Sequence, residues 1–294
     1  MTERRRRTAR GPGLTRREFG LAGVAIAVAG CTPGAAPPPV DLAVYGDCRQ
    51  YVKIHRKICN HIASRNPKAT IVAGDLVDHP TVQAEWQEFH EVTKVIRDKS
   101  PLICAVGNHD VYQVEKPGVA AGSIFVREFK LERTWYDRVI GDFHLFVLDS
   151  LTGFKEPEQL RWLEKAAGES RSKHRFAVFH HPPFNLDRRK AELMPAVQAN
   201  LHPLLAKMNF CAAFCGHEHA FYYTRRDGVP YVVTGGGGSS LATQDPALRV
   251  AGDLSRSFFH YVGVTVAGPR VEGRVYTPDG GEVPDLAFPL CHHA

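Results

Sequence analysis

The chain has 294 residues, 44% hydrophobic and 23% charged, a balance that supports a real core and excludes a low-complexity or disordered chain. Its formal net charge of +6 suggests a polyanionic partner, but seven Arg (Arg4, Arg5, Arg6, Arg7, Arg10, Arg16, Arg17) face only Glu3 and Glu18 within residues 1–30, so five of the six charges sit there. The rest is nearly neutral, which argues against a basic footprint and specific nucleic-acid binding.

The first thirty residues read as a targeting segment rather than as structure. Thr15-Arg16-Arg17-Glu18-Phe19 resembles a twin-arginine export signal. The apolar run from Leu21 to Gly30 is too short to span a bilayer as a mature helix. It ends in Val28-Ala29-Gly30-Cys31, which resembles a bacterial lipoprotein cleavage site and would leave the Cys31 thiol free to take a lipid. The expectation is an extracytoplasmic protein, exported by the twin-arginine route and anchored to a bacterial membrane through Cys31. Residues 31–40 are rich in Pro and Ala and read as a tether, with a single domain following over 41–294. Six further Cys (Cys48, Cys59, Cys104, Cys211, Cys215, Cys291) permit disulfides in an exported protein, but most lie in or beside apolar strand patterns and read as thiols.

From residue 41 onward, short apolar runs alternate with helical patterns, which indicates an α/β class. Leu42–Tyr45 stops at Gly46-Asp47, Ile71–Ala73 at Gly74-Asp75, and Leu102–Val106 at Gly107-Asn108. Phe176–Phe179 stops at His180, and Cys211–Cys215 at Gly216-His217. Each buried-type strand ends on a polar residue, and sites in open α/β sheets form beyond the carboxyl ends of strands. Between them, Ile54, Ile58 and Ile62 mark one helix. Val82, Trp86, Phe89 and Ile96 mark a second, and Pro157 starts a third. Residues 111–134 show no clean period and read as a loop over the site. Trp135–Val139 and Phe143–Leu148 read as a hairpin. The Gly235–Gly238 run is either a close backbone approach to the site or a flexible turn. Phe258–Val266 and Arg270–Tyr276 read as closing antiparallel strands.

Five motifs carry the chemistry: Gly46-Asp47-Cys48-Arg49, Gly74-Asp75-Leu76-Val77-Asp78, Gly107-Asn108-His109-Asp110, His180-His181-Pro182-Pro183 and Gly216-His217-Glu218-His219. Asp, Asn and His are hard-to-borderline ligands for a divalent metal, and no close Cys-x-x-Cys pair appears. A single Gly-Asp after a strand is as often a turn former, and a single His as often a buried hydrogen-bonding group. All five in order make that ordinary reading improbable.

In order and spacing the five motifs resemble the calcineurin-like metallophosphoesterases, over roughly residues 41–240. The resemblance implies a sandwich of two mixed β-sheets flanked by helices. It also implies two divalent or trivalent metal ions (Mn, Fe or Zn) that activate a water, as metal-bound hydroxide, against a phosphate ester. Asp75 aligns with the bridging carboxylate, Asn108, His180 and His217 with ligands of the second metal, and Asp47 and His219 with ligands of the first. His109 aligns with the residue that assists the leaving group, with Asp110 expected to orient it. Arg49 departs from the family pattern, which places a ligand His there, and a guanidinium has no lone pair to offer. Either the first metal is weakly held, or it is absent, or Arg49 grips a phosphate oxygen. His79 is a poor candidate for compensation. A degenerate cell-surface phosphate- or metal-binding protein is the alternative function.

Overall fold

The computed structural model describes residues 40–111, 122–267 and 269–292. The chain divides into two units, Met1–Ala35 and Ala36–Ala294. The export segment, Cys31 and residues 32–39 lie outside the described residues, as do residues 112–121. Among the described residues, no helix is long and apolar enough to cross a membrane.

The first half supplies β1 (Leu42–Tyr45), α1 (Val52–Arg65), β2 (Ala69–Val72), α2 (Gln83–Arg97), β3 (Leu102–Cys104), α3 (Ser123–Phe129), β4 (Tyr136–Ile140) and β5 (Phe143–Val147). The second half supplies α4 (Pro157–Glu169), β6 (His174–Val178), α5 (Met194–Asn200), α6 (His202–Lys207), β7 (Ala212–Cys215), β8 (Phe221–Arg226) and β9 (Val229–Thr234). It closes with β10 (Leu254–Arg256), β11 (Tyr261–Ala267), β12 (Arg270–Tyr276) and β13 (Phe288–His292). One sheet has the order β13-β12-β11-β1-β2-β3, and the other β10-β8-β9-β7-β6-β5-β4. Both are mixed. β1, β2 and β3 run parallel, as do β5, β6, β7 and β9, while the remaining pairs are antiparallel. This is the flanked two-sheet sandwich that the resemblance implies.

Strand periodicity explains the layers, because successive side chains point to opposite faces. Leu42 and Val44 join Phe143, Leu145, Phe176 and Val178 in the core between the sheets. Ala43 and Tyr45 face outward onto Ile58 and Ile62 of α1 and Trp86, Phe89 and Ile96 of α2. On the other side, Phe146, Ala177 and Phe179 meet Leu163 of α4, Val197 of α5 and Leu205 of α6. Trp86 is fully buried and its indole N–H donates to the Pro80 carbonyl at 2.8 Å. Truncating it to Ala would cost about 3–5 kcal/mol.

Most elements fall where the pattern places them. α4 begins with Pro157 in its first turn, where the missing N–H costs nothing. The hairpin of β4 and β5 turns on Gly141 and Asp142. Three expectations need correction. Val82 precedes α2 and is exposed rather than part of its buried face. The last antiparallel pair begins at Tyr261, three residues after the expected Phe258. The segment expected to be a loop over the site contains α3, whose Phe125 is buried in the outer core and whose Phe129 ring packs against Trp86 and Phe89. Its part within residues 122–134 is therefore core wall, because aromatic burial there outweighs the lack of period.

Candidate metal centre

The parallel strands of both sheets end at the same place. β1 and β2 are joined past their ends by Asp47 N–H donating to Gly74 O at 3.0 Å and Cys48 N–H to Asp75 O at 3.1 Å. The sheets are joined by His180, whose Nδ1–H donates to Ala73 O at 2.8 Å. Glycine makes this convergence possible. A Cβ on Gly107 would stand 2.2 Å from the Asp75 nitrogen, and one on Gly235 would stand 2.8 Å from Asp47 Oδ2. The Gly235–Gly238 run is thus a close backbone approach, and the flexible-turn alternative fails. Asp47, Asp75 and His217 all adopt positive φ (58°, 56° and 70°), a region costly for residues with a side chain and concentrated at functional sites.

One group of donors forms around Asn108. Its Oδ1 lies 3.0 Å from His180 Nε2 and 3.1 Å from His217 Nδ1. His180 Nε2 is also 3.3 Å from Asp75 Oδ1. Because His180 donates its Nδ1–H to a carbonyl, the lone pair of the neutral ring sits on Nε2, facing these oxygens. A second group repeats the logic. His219 Nδ1–H donates to Ser240 O at 2.7 Å, and its buried Nε2 has no hydrogen-bond partner, 3.3 Å from Asp47 Oδ1. Donor atoms of Asp47, Asp75 and His219 lie within 4.8 Å of one another. A lone pair facing a buried carboxylate oxygen is repulsive unless a cation lies between them. A proton could serve one such pair; a metal ion serves several at once. The oxygen and nitrogen donors fit Mn, Fe or Zn chemistry.

Electrostatics agree. Burial alone would push the Asp75 carboxyl up, but positive charge beside it, from His180 and His109 when protonated and from Arg49, holds it well below the usual carboxylate range, which favours a cation among these groups. Burial likewise opposes ionisation of Asp47, and His219 and His180 bring it below its ordinary value. Burial drives His217 and His181 toward the neutral form, the one able to bind a metal.

The structure brings all nine expected residues to one region but gives Asp110 other partners than expected. Asp110 does not orient His109. Its carboxylate accepts four backbone N–H groups, from Asp75, Leu76, Val77 and Gly107, at 2.8–3.2 Å. It therefore fixes the second and third motifs against each other, and its lone pairs are used up there. His109 is held instead by Asp78, with Nδ1 3.2 Å from the carbonyl and 3.3 Å from Oδ1. Arg49 lies inside the site. Its Nε donates to Asp75 Oδ2 at 3.2 Å and its Nη1 to Asp78 Oδ1, with the side chain 5% exposed. His79 turns away to Glu85. His181 bonds Ser150 at 3.0 Å, as a packing histidine would, although its ring is 4.4 Å from that of His217. Glu218, between the two His, points the other way and accepts Leu186 N–H and the Gln244 amide.

Sequence reasoning missed Glu192, whose Oε1 lies 2.9 Å from His217 Nε2, a contact not aligned as a hydrogen bond. Nothing in its surrounding sequence signals the role. Asp78 was visible inside the second motif and had been given no task.

The family model described as calcineurin-like phosphoesterase matches residues 26–221. The chain belongs to this family. Among curated relatives of this phosphoesterase, serine/threonine-protein phosphatase CPPED1 of Bos taurus is 25% identical over 266 residues, covering 80% of this chain and 78% of the relative. Purple acid phosphatase 18 of Arabidopsis thaliana is 23% identical over 201 residues, covering 64% of this chain and 45% of the relative. The solved structure of a purple acid phosphatase from yellow lupin, Lupinus luteus, shares the fold with a TM-score of 0.72 at 17% identity, over 84% of this chain and 53% of the lupin chain. The phosphoesterase thus spans about half the length of the two plant proteins.

Proposed function

We propose that this chain hydrolyses a phosphate ester at a dinuclear-type metal centre. The observation that carries the reading is the locked pair of histidines, His180 and His219, each presenting Nε2 to a buried carboxylate. Asn108, His180, His217 and Asp75 would hold one ion; Asp47, His219 and Asp75 would hold the other, more weakly. Such ions lower the pKa of water and neutralise charge on phosphoryl oxygens.

The protein's own groups do the rest. Arg49 fixes Asp75 and supplies a permanent positive charge beside it, and its planar fork carries more donors than these two contacts use, suited to a phosphate oxygen. His109 uses Nδ1 on Asp78, so proton delivery to a leaving alkoxide would run through Nε2. Asp110 holds the loops that carry Asp75 and Asn108. Export by the twin-arginine route and a lipid on Cys31 complete the proposal, supported by the residue pattern of the first thirty-one positions.

The test is turnover of a generic phosphomonoester and a generic phosphodiester by residues 32–294, with and without Mn²⁺, beside His109→Ala. Metal-dependent hydrolysis that the substitution abolishes is expected. No turnover with any divalent metal would overturn the reading in favour of a binding protein.

A further inference from the structure

At the opposite pole of the second sheet, three metal-ligating side chains meet that take no part in the centre above. His174 opens β6, Cys211 immediately precedes β7, and Cys291 lies in β13 of the other sheet. β6 runs from His174 toward His180, so at roughly 3.3 Å per residue the two places are about 20 Å apart. One donor atom from each of His174, Cys211 and Cys291 lies within 4.8 Å of the others. His174 and Cys211 are buried, and Cys291 is half-buried. We propose that His174, Cys211 and Cys291 form a second metal site, for a thiophilic closed-shell cation, Zn²⁺ or Cu⁺, that pins β13 to the opposite sheet.

The ligand chemistry separates this site from the first. Two thiols and an imidazole select soft or borderline d¹⁰ ions, whereas the other centre offers no sulfur. Donors at about 2.0–2.3 Å from a shared ion stand roughly 3.5–4 Å apart, so the observed spread closes with small side-chain rotations. The scaffold is fixed on two sides: His174 N–H donates to Asp142 O at 3.0 Å and Cys211 N–H to Arg175 O at 2.8 Å. The His174 ring packs 5.4 Å from that of Phe143. A surface groove lined by Arg225, Arg270 and Glu272 reaches Cys291, the half-buried one of the three ligands. Its neighbour Cys211 and burial push the Cys291 thiol up, and a cation that binds there displaces the thiol protons. Binding is then balanced: one ion enters, two thiol protons leave to solvent, and both sulfurs and one ring nitrogen donate electron pairs.

The experiment loads the purified full chain with Co²⁺, as a stand-in for Zn²⁺, and separately with Cu⁺ without oxygen. Thiolate-to-metal charge-transfer absorption is read for each, because only this site among the described clusters can produce it. The expected result is one such ion per chain, two thiols protected from a thiol reagent on loading, and loss of the band in Cys291→Ser and in Cys211→Ser. His174→Gln should shift the band. The wild-type spectrum alone tests the idea should a variant fail to fold. No charge-transfer band with either ion would overturn it. So would two thiols missing before loading and restored by a reductant, which would show a Cys211–Cys291 disulfide instead.

Discussion

The two halves of the candidate centre rest on the same strand ends but differ in what completes them. Around Asn108, His180 and His217 every donor comes from a motif residue; the Ala73 carbonyl orients His180, and the Glu192 carboxylate lies beside His217. Around Asp47 and His219 the orientation is equally good, through Ser240 O, yet Arg49 takes the place of a ligand and binds Asp75 Oδ2. A cation that belongs to the chain thus occupies one oxygen of the carboxylate that both halves share. The difference teaches that the two halves can share strand-end geometry and still offer a cation unequal surroundings, because Arg49 places its own charge on one of them.

The sharpest way to break this comparison is to remove one ligand from each half. His180→Ala should lower metal affinity and turnover by more than ~100-fold, beyond the ~10–100-fold typical of losing an outer partner. It is read by metal analysis of the dialysed protein and by kcat. His219→Ala should cost only about 10-fold if, as proposed, the ion of that half is the more weakly held. Equal losses from the two substitutions would mean the halves are equivalent, and Arg49 would then have no weakening effect to explain.

Arg49→His sharpens the same contrast from the other side. It removes the positive charge on Asp75 and returns a lone pair to the first half. The expected outcome is a rise from one tightly held ion per chain to two, measured by elemental analysis after dialysis. If turnover falls while the ion count holds at its starting value, Arg49 acts on the phosphate rather than on the metal.

Much of this was legible because it depends on local pattern. A buried strand followed by Gly and a polar residue places Asp47, Asp75 and Asn108 at strand ends, while the two-sheet sandwich was implied by the family resemblance and not by the pattern itself. What could not be read is whatever depends on chain segments that meet only in three dimensions. Asp110 adjoins His109 in sequence, but the four N–H groups that need a carboxylate come from two separate loops, and they claim it. Asp78, just past β2, gains its task only once β1 and β3 bring Arg49 and His109 to it. α3 lacks a period because seven residues are too few to show one, while Phe125 still buries fully.

Glu192 gives the finest test, because it touches the complete half without being a ligand. When His217 offers Nδ1 toward Asn108, its proton resides on Nε2, and the Glu192 carboxylate at 2.9 Å makes the ring a better donor. The contact with His217 in turn holds the Glu192 carboxyl below its ordinary value, against partial burial. Glu192→Gln should therefore weaken metal binding by a modest ~10-fold near neutral pH. The sign with pH follows: a depressed carboxyl stays ionised well into the acid range and loses its charge only below its usual value of about 4.3. The gap between the wild type and the variant should persist as pH falls to ~5 and close only further down. Metal titrations across that range read it directly. A gap that closes already near pH 6.5, where free histidine titrates, would assign the effect to protonation of His217 rather than to the Glu192 charge.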